Sequence, residues 1–118
     1  MVHLDYRDAR PIYTQIVDGF RAQISAGILS AGEKLPSVRE LAVQLSINPN
    51  TIQRSYRQLE AEGWIATVPG KGCFVCGIPQ YAIDKKSELL TAFDRAVVEL
   101  VTAGVTREEL IARLQKEV

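Results

Sequence analysis

Leu35-Pro36-Ser37-Val38-Arg39-Glu40-Leu41-Ala42, then Ser46-Ile47-Asn48-Pro49-Asn50-Thr51-Ile52-Gln53-Arg54, then Leu59-Glu60-Ala61-Glu62-Gly63-Trp64-Ile65, closing on Pro69-Gly70-Lys71-Gly72-Cys73-Phe74-Val75, is the stretch that decides the fold. Ser37-Val38-Arg39-Glu40 is a capping box: the serine oxygen takes the N–H three residues on, and the glutamate reaches back to the serine N–H. Val38, Leu41, Ala42 and Leu45 give the helix it starts one apolar face. Ser46-Ile47 is a very short link. Asn48-Pro49 then starts a second helix, with asparagine as cap and proline in the first helical position. Two helices joined by so few residues cannot lie antiparallel and must cross steeply, which is helix-turn-helix geometry.

The second of these helices is expected over about Pro49 to Glu62. Ile52, Tyr56 and Leu59 form its apolar side, and Asn50, Gln53, Arg54 and Arg57 lie away from it at helical spacing. Gly63 ends it as a left-handed cap. Trp64–Val68 and Cys73–Val75 are β-prone, and Pro69-Gly70-Lys71-Gly72 between them is a turn, so a small hairpin with one lysine at its tip follows. The pattern is that of a winged helix-turn-helix.

Upstream, Arg10-Pro11 opens a helix whose Ile12, Ile16, Phe20 and Ile24 recur every four residues as one stripe, with Gly27 at its end. Downstream, Gly77-Ile78-Pro79 is a boundary. A long helix is expected from about Asp84 to Ala103, ended by Gly104. Leu89, Leu90, Phe93, Val97, Leu100 and Val101 belong to an apolar surface wider than one stripe, so a second face there needs a partner. Thr106-Arg107-Glu108-Glu109 is a further capping box, and Leu110, Ile111 and Leu114 give the last helix one apolar side. The expected class is mainly α (α+β), with a winged helix-turn-helix over residues 1–77 and a two-helix tail over 78–118.

Composition bounds the function. With 118 residues, 47% of them apolar, the chain can bury a core. No apolar run approaches the ~20 residues of a membrane span. Met1-Val2-His3-Leu4-Asp5-Tyr6 lacks the form of a signal peptide, so a cytoplasmic protein is expected. Fourteen basic and fourteen acidic residues cancel, and residues 1–77 hold eight Lys/Arg against seven Asp/Glu. Phosphate backbones reward positive charge, so a DNA reading has to rest on where the charges sit. One histidine, His3, permits no Ser/His/Asp or Cys/His set, and the carboxylates are scattered over polar helix faces. The expectation is no enzyme, no metal and no cofactor. Cys73 and Cys76, three apart at a strand and its end, point to opposite sides and are read as ordinary thiols.

The start of a recognition helix meets base edges in the major groove. Asn48, Asn50 and Gln53 are the candidate base readers, because a side-chain amide can grip adenine bidentately. Asn48 is equally a plain helix cap. Thr51, Arg54 and Arg39 are candidates for phosphates, and Lys71 for a phosphate or neighbouring minor groove. The alternative, a winged helix used only as a protein-interaction module, is disfavoured because interface cores prefer aromatic and aliphatic anchors.

At these residues the sequence resembles the GntR family of bacterial transcription regulators. The likeness runs from Pro11-Ile12-Tyr13-Thr14-Gln15-Ile16 through Gly32-Glu33-Lys34-Leu35-Pro36-Ser37 and Asn48-Pro49-Asn50-Thr51-Ile52 to Gly70-Lys71-Gly72-Cys73-Phe74-Val75. It implies a homodimeric, operator-binding repressor. It also implies DNA contacts at Arg39, Asn48, Asn50, Thr51 and Gln53, and at Gly70 with Lys71 in the wing. Many members carry arginine where this chain has Pro49, and often where it has Gln53. That removes a guanine contact and shifts the expected half-sites towards A·T pairs. The Asn-Pro-Asn-Thr version is similar to the YtrA-type subgroup. So are the 41 residues after Gly77, too few for a large sensor or aminotransferase-like domain and suited to a two-helix dimerisation tail. Such a tail leaves little room for an effector pocket of several hundred Å3.

Overall fold

A computed structural model describes residues 3–117. Met1 and Val2, which begin the stretch weighed as a signal peptide, lie outside it, as does Val118. The order is α1 (Ile12–Ser25), α2 (Val38–Leu45), α3 (Pro49–Ala61), β1 (Ile65–Val68), β2 (Gly72–Val75), α4 (Gln80–Thr102) and α5 (Arg107–Glu117). Two compact units divide the chain, the first ending at Pro79 and the second beginning at Gln80. Among the described residues no helix is long and apolar enough to cross a membrane.

In the first unit α1 and α2 both pack on α3. The stripe of α1 supplies Ile16, Phe20 and Ile24, and α3 answers with Ile52, Tyr56 and Leu59, all buried. Phe20 and Tyr56 meet edge to face, with ring centroids 5.8 Å apart. The Tyr56 hydroxyl donates to the Pro36 carbonyl at 2.7 Å, so this aromatic is buried without an orphan donor. Burial pushes its phenol well above the ordinary value.

Both halves of the α2 capping box form. Ser37 Oγ accepts from Glu40 N–H at 3.0 Å, and Glu40 Oε1 from Ser37 N–H at 3.3 Å. After α2 the chain turns through Ser46, held left-handed at φ 54°, and Ile47 N–H returns to the Ala42 carbonyl at 3.0 Å. That closure makes the three-residue link possible. Asn48 then caps α3, and Gly63, at φ 88°, ends the turn after it.

β1 and β2 pair antiparallel, Ile65 opposite Val75 and Val68 opposite Gly72. Pro69 and Gly70 occupy the middle of the turn, Gly70 at φ 76°, and Lys71 N–H bonds the Val68 carbonyl at 2.9 Å. This is the type II arrangement, which needs positive φ at its third position. The wing is also wider than a hairpin. Lys34 bridges Phe74, Leu35 N–H donates to the Cys73 carbonyl at 2.8 Å, and Val75 N–H donates to the Glu33 carbonyl at 2.9 Å.

In the second unit α4 begins at Gln80, four residues before the expected start. Gln80 Nε2 donates to Asp84 Oδ1 at 3.0 Å, an i,i+4 pair that extends the helix past the residue taken for its start. Gly104, at φ 99°, ends the turn after α4, with Val105 N–H on the Leu100 carbonyl. Thr106 Oγ1 accepts from Glu109 N–H at 3.2 Å and starts α5. No residue of α4 is buried. Phe93, Val97 and Leu100 of α4, with Leu110 and Leu114 of α5, line an open apolar groove of about 290 Å3.

Candidate nucleic-acid interface

The face of α3 that turns away from the core carries Asn50, Gln53, Arg54 and Arg57, all exposed, while Ile52, Ser55, Tyr56 and Leu59 are buried. Polar residues are therefore sorted to one side by the same periodicity that builds the core. Asn48 and Pro49 at the start are exposed, and Thr51 is half-buried. Asn48 Oδ1 accepts from Asn50 N–H at 2.8 Å. The cap uses one of the two lone pairs of this oxygen, leaving one acceptor site and the two Nδ2–H donors. Gln53 keeps both amide atoms.

Arg54 is held from one side. Its guanidinium carbon lies 3.6 Å from the centre of the Tyr13 ring, a cation–π stack on α1. Beneath it, buried Ser55 Oγ lies within hydrogen-bond range of the Tyr13 and Thr51 carbonyls, at 3.1 and 3.0 Å. The ring sits one residue into α1, a platform that the apolar periodicity of either helix does not reveal.

Arg39 is exposed in the first turn of α2. Gly70 and Lys71 are exposed at the wing tip. The tip does not stand alone. Lys34, Ser37, Glu40, Thr67, Gly70 and Lys71 share the lining of one open cleft of about 340 Å3, which joins the wing to the start of α2. Lys34 is a cation of this cleft that lies outside the expected DNA contacts.

The charges are unevenly used. Arg10 pairs with Asp8 and Asp18, and Arg21 with Asp18 and Glu62. Among the described residues Lys34, Arg39, Arg54, Arg57 and Lys71 make no ion pair. Three carboxylates of the first unit are thus neutralised around α1 and the end of α3, while the cations of α2, α3 and the wing stay open. Burial alone would raise the Glu62 carboxyl, but hydrogen bonds from Arg21 and Gln58 hold it below its ordinary value.

Cys73 is half-buried on β2 and Cys76 exposed beyond it. Burial raises the Cys73 thiol, which keeps it protonated and a poor nucleophile near neutral pH. Among the described residues no three His, Cys, Asp or Glu side chains gather as a metal site would require.

Known proteins share this arrangement. The profile of the bacterial regulatory proteins of the gntR family matches residues 12–75. The HTH-type transcriptional repressor YtrA of Bacillus subtilis is 35% identical over 112 residues, covering 93% of this chain and 86% of its own length. A GntR family transcriptional regulator from Listeria monocytogenes superposes with a TM-score of 0.67 at 36% identity, covering 96% of this chain and 98% of that one. The DNA-binding domain of AraR, solved in complex with operator ORR3, superposes at 0.55 with 27% identity over 63% of this chain and 89% of that one. The matched span takes in α1, the two crossing helices and the wing, and the YtrA match extends beyond it into the tail. The chain belongs to the GntR family of bacterial regulatory proteins.

Proposed function

We propose that the chain is a homodimeric, cytoplasmic repressor of transcription that binds an inverted-repeat operator in double-stranded DNA. In this reading residues 1–77 bind DNA, residues 78–118 dimerise, and the protein is not an enzyme. The observation that carries it is the exposed amide-and-arginine face of α3, beside unpaired cations of α2 and the wing. The AraR domain, of the same fold, is solved on its operator, and YtrA is named a repressor.

The first turns of α3 enter the major groove. Gln53 and Asn50 read base edges, each amide offering one donor and one acceptor to adenine. Asn48 contributes mainly through its Nδ2–H donors, because one lone pair of its oxygen already caps the helix. Pro49, with no N–H and no polar side chain, leaves its position without a hydrogen bond to a base. Thr51, Arg54 and Arg39 grip phosphates and fix the register, and Gly70 with Lys71 brings the wing to the backbone or the adjacent minor groove. The tail pairs two copies through Leu89, Leu90, Phe93, Val97, Leu100 and Val101. The half-sites then lie about 34–36 Å apart, one helical turn, or a multiple of it. Two linked modules also offset the weak net charge, since the second half-site binds at an effective concentration set by the first.

The test uses a duplex selected from random sequence by the protein itself. Gln53→Ala is expected to lower affinity for that duplex by about 1–3 kcal/mol per half-site while leaving mixed-sequence DNA nearly unaffected. Equal losses on both would remove Gln53 from base reading.

A further inference from the structure

We propose that Lys34 is a second phosphate-binding lysine of the wing, carried to the tip across the bare backbone of Gly72. The inference rests on the DNA reading above and extends its surface to a residue outside it.

Glu33 to Leu35 runs as a short third strand against β2. Leu35 is buried and Lys34 exposed, as alternation along a strand requires. Lys34 stands opposite Phe74, and Gly72 is two residues along β2 on the same face. A long side chain reaches such a diagonal neighbour. A methyl group placed on Gly72 would lie 2.8 Å from Lys34 Cε and 3.6 Å from Nζ. The lysine stem therefore lies on the glycine where any other residue would lift it off, and Gly72 is at φ 120° besides, a conformation side chains resist.

The consequence is placement. The aliphatic stem packs along the strand and the ammonium emerges beside the turn that bears Lys71. Both lysines line the cleft between the wing and the start of α2. The carboxylate in that cleft, Glu40, is engaged by the Ser37 N–H in the capping box, and among the described residues Lys34 makes no ion pair. Two ammonium groups at one tip suit a DNA phosphate, which accepts from point charges without demanding a fixed geometry.

The experiment measures binding of the full chain to a fluorescein-labelled mixed-sequence duplex and to the selected duplex across a salt series. Lys34→Gln keeps most of the stem and removes the charge. The expected result is a salt slope smaller by about 1.8 for the dimer, about 0.9 from each half-site, and a loss of about 30-fold at ~0.15 M salt on both duplexes, matching Lys71→Gln. Lys34→Arg is expected to restore the slope, which a merely structural role would not require, and the thermal midpoint of Lys34→Gln is expected to stay unchanged. An unchanged slope in Lys34→Gln, with Lys71→Gln reduced, overturns the proposal. Unchanged slopes in both, with wild-type binding intact, take the whole wing off the DNA and overturn it as well. Wild-type protein that binds neither duplex shows instead that the DNA reading has failed, and the proposal falls with it.

Discussion

Phe93→Glu is expected to separate the subunits. Phe93 is 48% exposed on α4, among Leu89, Leu90 and Val101, which are more than half exposed. A phenylalanine buries ~150–250 Å2 in full, so about 100 Å2 is left for a partner. At ~25 cal/mol per Å2 that surface is worth about 2.5 kcal/mol. A two-fold interface uses the residue twice, so the substitution removes about 5 kcal/mol, between three and four decades in the dissociation constant. The buried charge adds to the loss. Glutamate is a good helix former, so α4 itself is expected to persist, and circular dichroism checks that it does. Sedimentation equilibrium reads the association, and DNA titration reads its consequence, a loss of 10²–10⁴-fold on the two-half-site duplex with little change on a single half-site. A Phe93→Glu dimer of undiminished affinity, with normal helix content, would refute the assignment of this face to the interface.

Arg54→Ala is expected to weaken binding to all DNA and lower the salt slope by about one ion per half-site. Tyr13→Leu is expected to cost roughly 2–5-fold, since an exposed cation–π stack is worth about 0.5–1 kcal/mol, while Tyr13→Phe keeps the ring and the affinity. In Tyr13→Leu/Arg54→Ala the losses should not add; additive losses would mean the ring does not hold the guanidinium. A third expectation concerns acid. Glu62 titrates below its ordinary value of 4.5 in the folded chain, so its contribution to stability is present above that value and is lost as pH falls through the lower folded one. Urea midpoints of wild type and Glu62→Gln should therefore differ at neutral pH and converge in strong acid. A gap independent of pH would detach Glu62 from that linkage.

What could be read from the sequence was what local chemistry dictates. Ser37 with Glu40, Asn48 with Pro49, and Gly63 each specify a helix end without knowledge of the rest of the chain, and each forms as expected. The sorting of α3 into buried and exposed faces follows from spacing alone. Long-range pairings were less legible. Arg21 and Glu62 are 41 residues apart and look like surface charges until α1 is laid against the end of α3. Tyr13 under Arg54 and Lys34 over Gly72 depend on which strand and helix are neighbours, and no periodicity encodes that. α4 starts at Gln80 and not near Asp84 as expected, because the Gln80–Asp84 side-chain pair carries the helix through a turn with no strong start signal of its own. The candidate site was therefore legible as residue types on one helix, and its supports became visible only with the fold.

Those supports divide α3 into parts that evolution can treat differently. Its front is fastened to α1 through Ser55 and the Tyr13 stack, and its rear through the Arg21–Glu62 pair. Asn50 and Gln53 project ahead of the front fastening and Arg57 between the two, and their side chains take no part in either. They can be exchanged with little cost to the fold, so a descendant of this chain could acquire a new operator by changing a few side chains on a helix whose axis stays where it is. Arg54 and Asn48 are less free, one tied to the platform and the other to the cap. Retargeting should therefore proceed through positions 50, 53 and 57 and spare 48 and 54.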